Sequence, residues 1–281
     1  MQDLKEKIIV ITGANIGIGK ATAEALAVRG AKLRLLCRSE EKTRPVIDEL
    51  KKLARHDDIR FIKLALDDFA SVRSAAAELL AMDEPIHVLI NNAGLAGQKG
   101  LTKNGFELLF GVNHLGHFLL TELLLERIKA SAPARIVNVA SRAHYNATSI
   151  DWDALKKPTA HTTAMHEYAV SKLANVLFTK ALAKKLSGTG VTTYALHPGV
   201  IASNIWQKLP WPIRPIALAF MKSTVDGAYA TVHTATAPEL AHETGKYYDE
   251  DGSEKKPSAL ALDPALAAEL WRRSESWTRS A

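Results

Sequence analysis

The stretch that decides the fold lies at the start of the sequence, where residues 7–20 read KIIVITGANIGIGK. An apolar run rich in β-branched residues, which is typical of a buried strand, leads directly into a turn with three glycines. Helical periodicity follows over residues 17–29 and ends at Gly30. The order strand, glycine-rich turn and helix predicts the first βα unit of a parallel α/β sheet.

The same alternation continues along the chain. Further strand-like runs are predicted at residues 32–37, 59–66, 86–91, 134–140 and 191–197, and further helices at 40–54, 71–82, about 103–129, 166–186 and about 263–278. This rhythm predicts an α/β fold, a doubly wound parallel sheet of Rossmann type with helices on both faces. No linker or low-complexity run interrupts it, so we predict a single domain over residues 1–281.

Composition narrows the class of protein. The sequence has 36 Lys and Arg against 30 Asp and Glu, and the basic residues lie beside acids on helical patterns. That distribution indicates solvated helix faces rather than a nucleic-acid surface. The one cysteine, Cys37, permits no internal disulfide. We see neither a signal-peptide pattern nor the roughly 20 apolar residues of a membrane span, and therefore expect a cytoplasmic protein.

The glycine-rich turn is a candidate phosphate-binding site. Glycine lets the backbone approach a pyrophosphate without a Cβ in the way, and the free N–H groups that begin the next helix attract anions. The alternatives are a plain turn and a mononucleotide P-loop, which would need a glycine at Ala14 and a Ser or Thr at Ala21. The place of the turn, directly after the first strand, favours a dinucleotide. Its candidate contacts are Gly13, Asn15, Gly17, Ile18 and Gly19.

The end of the second predicted strand bears on which dinucleotide is bound. Arg38 and Ser39 follow that strand, and there is no Asp or Glu between Gly30 and Ser39. An acid near this place binds the ribose hydroxyls of NAD, whereas an arginine suits the 2′-phosphate of NADP. We predict NADP(H) as the cofactor. The alternative is that Arg38 is an ordinary surface residue.

Tyr168 and Lys172 form a candidate acid/base pair. They lie four residues apart in a helical pattern and therefore share one face. A nearby ammonium is expected to lower the pKa of a phenol toward the working range, so that the phenol can exchange a proton with a substrate oxygen. This spacing is common by chance, and a solvated Tyr/Lys face is the alternative where nothing else supports the pair.

The rest of the chain resembles the short-chain dehydrogenase/reductase family. The matching pieces, in the order of the family, are Thr12-Gly13 with Gly17-Ile18-Gly19, Asn91-Asn92-Ala93-Gly94, Asn113, Ser141, Tyr168 with Lys172, and His197-Pro198-Gly199. The resemblance implies further cofactor contacts at Leu66, Asn92, Ala93, Gly94, Pro198, Gly199, Val200 and Ser203.

The resemblance also implies the roles of the catalytic residues. In such enzymes the serine and tyrosine hydroxyls, here Ser141 and Tyr168, both bond the substrate oxygen, and the tyrosine transfers the proton. Lys172 would hold the nicotinamide ribose and tune Tyr168. Asn113 would anchor a water that links the lysine to solvent. Two positioned hydroxyl donors suit an oxygen that gains negative charge during reduction.

A finer resemblance is to the retinol-dehydrogenase-like branch. It is carried by Cys37-Arg38-Ser39, Ser141-Arg142-Ala143-His144, residues 149–152 and 168–178, and Gly245-Lys246-Tyr247-Tyr248. It implies NADP and a lipophilic aldehyde, ketone, retinoid or steroid. The chain departs from the pattern at Ala65, where the family often has an acid that bonds adenine, at Ser203 in place of threonine, and in beginning without the apolar anchor of membrane-bound relatives.

An apolar, proline-kinked stretch within about residues 203–223 is predicted to be a lid over the substrate. Its candidate contacts are Trp206, Trp211 and Phe220. A peripheral membrane contact and a packed loop or subunit contact are the alternatives. The branch leaves open a homodimer or homotetramer.

His114 and His117 lie three apart on a predicted helix, but no cysteine or carboxylate accompanies them at ligand spacing. We therefore predict no metal site. The leading prediction is an NADP-dependent oxidoreductase that interconverts a carbonyl and an alcohol. The alternatives are a non-catalytic NADP-binding regulatory protein, and an epimerase or dehydratase on the same fold.

Overall fold

A computed structural model describes residues 3–199 and 223–279. Seven strands in these ranges form one parallel sheet: β1 Ile8–Thr12, β2 Lys32–Cys37, β3 Ile59–Lys63, β4 Val88–Asn91, β5 Ala134–Val139, β6 Val191–Leu196 and β7 Lys246–Tyr248. Their order across the sheet is β3-β2-β1-β4-β5-β6-β7. The order reverses between β1 and β4, and in open α/β sheets this switch point is where a ligand crevice opens.

Helices cover both faces of the sheet. They are α1 Gly17–Ala27, α2 Glu40–Ala54, α3 Phe69–Ala81, α4 Leu108–Ala130, α5 Met165–Lys185, α6 Thr224–Thr236 and α7 Pro264–Arg279. One hydrophobic core lies beneath α1, α2 and α6, and the other beneath α3, α4, α5 and α7. The predicted doubly wound, single-domain α/β fold is confirmed.

Burial explains why β1 is a continuous apolar run. All five of its residues are buried, because β2 and β4 flank it and helices cover both of its faces. A strand in this position does not alternate polar and apolar residues. It ends at Thr12, which therefore lies in the middle of the carboxyl edge of the sheet.

Two elements, α6 and β7, did not stand out in the sequence. The α6 sequence TVDGAYATVHTAT is rich in alanine and threonine, so its apolar stripe is weak. Its start is nevertheless well defined, because Ser223 and Asp226 form a capping box. Strand β7 has only three residues and is held by its pairing with β6.

Helix α4 begins later than predicted. Leu101 and Glu107 form an antiparallel bridge, and the Glu107 carboxylate then accepts a hydrogen bond of 2.8 Å from Phe110 N. Length and hydropathy alone would let α4 cross a membrane, contrary to the expectation that no stretch qualifies. Within the described structure, however, 78% of its most apolar window is buried inside the domain. The helix is apolar because it lies in the core.

Candidate active site

Two positions of the glycine-rich turn, Gly13 and Gly19, leave no room for a side chain. A Cβ on Gly13, whose φ is +67°, would lie 2.9 Å from Ala93 Cβ. A Cβ on Gly19 would lie 2.5 Å from Asn92 Nδ2. Helix α1 then begins at Gly17 without a side-chain cap and without an acidic residue in its first turn. Its first amides are thus available to an anion, as the sequence predicts for a pyrophosphate.

Thr12 and His117 join this turn to helix α4. The Thr12 hydroxyl accepts hydrogen bonds of 2.9 Å from Asn92 N and from Ala93 N. His117 Nδ1 donates to the Asn113 carbonyl over 3.2 Å, which leaves Nε2 to accept the Thr12 proton over 2.9 Å. Burial lowers the pKa of His117 to about 4, so the ring is neutral at physiological pH. These contacts fix the spacing between the glycine-rich turn, the loop after β4 and α4.

Asn113 lies in a π turn, Gly111–Leu115, which interrupts the regular helix of α4. Its Oδ1 accepts from Leu95 N over 2.7 Å, and its Nδ2 donates to Leu95 O and to Ser171 Oγ, each over 2.9 Å. The side chain is fully buried. Asn113 therefore ties the loop after β4 to α5. The water that it would anchor stays a prediction.

Lys172 projects from α5 toward the end of β5. Its ammonium donates a hydrogen bond of 2.9 Å to the Val139 carbonyl, and the residue is only 4% exposed. Burial lowers the pKa of Lys172 to about 8. A Cβ on Gly94 would lie 3.4 Å from both Lys172 Nζ and Asn113 Oδ1, so Gly94 allows these groups to approach the loop.

Tyr168 lies one helical turn before Lys172. The Lys172 ammonium lies 5.8 Å from the Tyr168 ring centroid. The expectation that the ammonium lowers the pKa of the phenol is not met. Burial raises the pKa of Tyr168, and the opposing influence is a hydrogen bond with Ser141. The reason is that burial of the phenol outweighs the influences that would lower its pKa.

Ser141 follows β5 and begins a short 3₁₀ turn, Arg142–Asn146. Its hydroxyl oxygen accepts a hydrogen bond of 3.2 Å from Ala143 N, which leaves the hydroxyl proton available to another acceptor. Ser141, Tyr168, Lys172 and Asn113 thus lie together at the carboxyl edge of the sheet. Two hydroxyl groups and a buried amine at one place can orient an oxygen and transfer a proton to it.

The residues predicted to surround the cofactor differ in exposure and in their contacts. Arg38 is exposed and forms no ion pair with a described residue, whereas Ser39 caps α2 by accepting from Lys42 N. Leu66 packs against α4, where a Cβ on Gly116 would lie 2.6 Å from the Leu66 carbonyl oxygen. The Ala65 methyl offers adenine no hydrogen bond.

His197 holds the turn that follows β6. His197 Nδ1 accepts from Gly199 N over 3.1 Å, and His197 Nε2 lies 2.6 Å from Asp249 Oδ1. Burial lowers the pKa of His197 to about 4, and the nearby Asp249 opposes that shift. Pro198 is buried. The remaining predicted contacts, Val200, Ser203, Trp206, Trp211 and Phe220, lie outside the described residues.

Both histidines that were weighed as metal ligands have partners inside the protein. His114 Nε2 forms a hydrogen bond of 2.9 Å with Ser274 Oγ on α7, and the His114 ring packs against Phe110. His117 bonds Thr12 and Asn113 as described above. Among residues 3–199 and 223–279, no group of three or more His, Cys, Asp or Glu side chains is placed to hold a metal ion.

Sequence reasoning did not identify His117 and His144 as parts of the site. His117 lies four residues after Asn113 and His144 three residues after Ser141, so both are placed to contact the turns that carry those residues. That spacing was the available signal. What the histidines contact depends on distant segments, which spacing does not show.

Comparison with known proteins identifies the family of the chain. Residues 7–211 match the family model for short chain dehydrogenases. The chain belongs to this family, and it is an oxidoreductase that acts on the alcohol/carbonyl pair.

Among its relatives, the chain is similar to retinol dehydrogenase 12 of Mus musculus, with 44% identity over 95% of this chain and 85% of the relative. A solved structure of a protein from Mycobacterium paratuberculosis matches with a TM-score of 0.78 and 31% identity, over 98% of this chain and 94% of the other. Another, described as an NAD(P)-dependent gluconate 5-dehydrogenase of Beutenbergia cavernae with bound NADP at low occupancy, matches with a TM-score of 0.72 and 25% identity over 89% and 97% of the chains.

Proposed function

We propose that the chain interconverts a lipophilic carbonyl compound and its alcohol with NADP(H), and that Tyr168 donates and accepts the proton. One observation carries the proposal, namely that the four candidate catalytic residues lie close together beside the glycine-rich turn. Ser141 bonds Tyr168, and both Lys172 and Asn113 approach Gly94. Asn113 also bonds Ser171, and Lys172 bonds the Val139 carbonyl. A non-catalytic binding protein would have no need for a hydroxyl pair and a buried amine at this edge.

NADP(H) fits the residues of this site. The turn at Gly13 and Gly19 and the uncapped start of α1 suit its pyrophosphate, and the exposed Arg38 suits its 2′-phosphate. The bound NADP in the Beutenbergia cavernae protein supports this assignment. When bound, the cofactor supplies or accepts the hydride. Lys172 would hold its ribose.

The proton belongs to the protein's own groups. Because burial raises the pKa of Tyr168, its hydroxyl keeps its proton at neutral pH and is suited to donate that proton to a substrate oxygen. The Ser141 hydroxyl supplies a second donor to the same oxygen.

The similarity to a retinol dehydrogenase supports a lipophilic substrate, such as a retinoid, steroid, aldehyde or ketone. The apolar lid at about residues 203–223 would cover it, with peripheral membrane contact as the alternative use of that stretch. We further propose a cytoplasmic location, for which the single, buried and unpaired Cys37 is suitable. Assembly as a homodimer or homotetramer is likewise a proposal.

The test is an NADPH-oxidation assay of the purified protein with aldehydes, ketones, steroids and retinoids, repeated with NADH. We expect turnover with an apolar carbonyl and a preference for NADPH. Tyr168→Phe removes the proton donor and should lower kcat by at least about 100-fold. NADPH binding, followed by fluorescence, should remain close to that of the wild-type protein.

Three results would overturn the proposal. They are full activity of Tyr168→Phe on a good substrate, a clear preference for NADH, and product formation without net consumption of NADPH. The last result would indicate an epimerase or dehydratase.

A further inference from the structure

The Ser141 turn is held through its main chain as well as its side chain. The Ser141 carbonyl oxygen accepts two hydrogen bonds from His144, one of 3.1 Å from the backbone N and one of 2.7 Å from the ring Nδ1. A short bond to a ring that cannot move would fix the direction of this peptide. It would thereby fix the direction in which the Ser141 hydroxyl points.

Both nitrogens of the His144 ring form hydrogen bonds, and the ring packs against two tyrosines. It is fully buried, and its Nε2 accepts a hydrogen bond of 3.2 Å from Ser258 N. Since Nδ1 donates to a carbonyl and Nε2 accepts from an amide, both ring nitrogens are matched only in the neutral form. Burial lowers the pKa of His144, which favours that form. The ring packs between Tyr145 at 4.0 Å and Tyr247 at 4.9 Å, measured between ring centroids.

Ser258 ends a segment that we call the C-terminal hairpin, residues 246–258. The hairpin starts with β7 and turns back, with a bridge between Tyr248 and Glu254 and a hydrogen bond of 2.8 Å from Lys255 N to Tyr247 O. The same hairpin carries Asp249, which lies against His197 in the turn after β6. One hairpin therefore supports both the Ser141 turn and the turn at Pro198 and Gly199.

We propose that His144 is a positioning residue for Ser141, and that it transmits the position of the C-terminal hairpin to the catalytic hydroxyl. The proposal rests on the proposed function, in which Ser141 bonds the substrate oxygen. In this proposal His144 acts through Ser141 and not by contact with substrate or cofactor. Its two hydrogen bonds span from a turn after β5 to a segment more than a hundred residues later, and so link Ser258 of the hairpin to the Ser141 turn.

The first variant tests the polar atoms alone. His144→Phe keeps a ring between Tyr145 and Tyr247 but removes both the donor to Ser141 and the acceptor from Ser258. We expect kcat at saturating NADPH to fall by about 10- to 100-fold, because small displacements of a catalytic group cost rate steeply. NADPH affinity should stay within about twofold, since the glycine-rich turn does not depend on this ring.

His144→Asn is the rescue variant. An asparagine amide places an N–H near the position of the lost Nδ1 and restores the bond to the Ser141 carbonyl. We expect it to recover part of the lost kcat, and the remaining loss measures the contribution of the Ser258 contact, which asparagine no longer makes.

Tyr145→Phe is the matched control. The Tyr145 hydroxyl donates to Lys256 O over 2.5 Å, so this change removes one hydrogen bond between the same turn and the same hairpin without touching Ser141. We expect kcat to be unchanged. Equal loss of kcat in both phenylalanine variants, or failure of His144→Asn to recover activity, would overturn the proposal.

A second measurement does not depend on turnover. Ala143 N donates to the Ser141 hydroxyl and His144 N to the Ser141 carbonyl, so their hydrogen exchange reports on this turn. Exchange should be faster in His144→Phe and unchanged in Tyr145→Phe. An unchanged rate in His144→Phe contradicts the inference even if no substrate is found. Absence of wild-type turnover alone contradicts the proposed function instead.

Discussion

Lys172 shows at the scale of one residue how burial sets the chemistry of this site. An exposed lysine keeps its proton far above neutral pH, but burial lowers the pKa of Lys172 to about 8. Its one described hydrogen bond, to the Val139 carbonyl, offers no negative charge to counter that loss of solvation. The charge that would hold an anionic cofactor's ribose is therefore present at neutral pH and disappears in mildly basic solution.

This pKa predicts the basic limb of the activity profile. The rate of carbonyl reduction should fall as pH rises through about 8, because Lys172 then becomes neutral. Tyr168 does not account for a limb there, since burial raises its pKa above the ordinary value.

Lys172→Arg tests this assignment. Arginine keeps its charge at every accessible pH, so the limb should move to higher pH whatever the absolute rate. The measurement is kcat/KM from pH 6 to 10. Lys184→Arg, on the exposed face of the same helix, is the control. An unmoved limb in Lys172→Arg would contradict the assignment.

At the scale of one element, α4 shows how a helix can be fitted closely to the end of a strand. Gly116 follows the π turn that carries Asn113, and it faces Leu66 just beyond β3. A Cβ at this glycine would lie 2.6 Å from the Leu66 carbonyl oxygen, which is backbone and cannot rotate away. The missing side chain is what lets the helix approach the predicted adenine contact.

Gly116→Ala should therefore push α4 away from Leu66. We expect the free energy of unfolding to fall by about 1–3 kcal/mol, the usual cost of overpacking, although alanine is the better helix former. Weaker NADPH binding should accompany that loss. Urea denaturation measures the first effect and fluorescence titration the second. Glu126→Ala, at an exposed position of the same helix, should change neither. A Gly116→Ala protein as stable as the wild type would show that the helix shifts freely.

The whole molecule is supported by buried neutral histidines. Burial lowers the pKa of His114 to about 3 and that of His117 to about 4. Both values lie below the ordinary value of about 6.5 for an unfolded chain, so the unfolded state binds more protons in the acid range. The stabilising neutral forms are fully present above pH 6.5, and stability is lost as pH falls toward 4.

Acid should accordingly destabilise the protein steeply. Each of these histidines contributes a slope that approaches about 1.4 kcal/mol per pH unit below pH 6.5. Urea denaturation at pH 7, 6, 5.5 and 5 measures the total. His114→Phe fits the surrounding aromatic rings and removes one titrating group, so its slope should be smaller by the contribution of one histidine. Equal slopes for the two proteins would contradict the prediction.

The fold was largely predictable because periodicity reports burial. Strand β1 and helix α1 follow directly from residues 7–29, and the order of the candidate residues follows from their places after strands. Strand β7 is too short to show a pattern, and the alanines and threonines of α6 give a weak one. The lowered pKa predicted for Tyr168 was wrong because helical spacing does not show how deeply the phenol is buried.

The link from Ser141 through His144 to Ser258 has a consequence for biosynthesis. A ribosome completes every motif piece up to the turn after β6 before it makes the C-terminal hairpin. A nascent chain of that length carries all four catalytic side chains but lacks the segment that holds the Ser141 turn and the turn at Gly199 from below. We therefore expect full activity only after residues 246–258 have been made and have folded against these two turns.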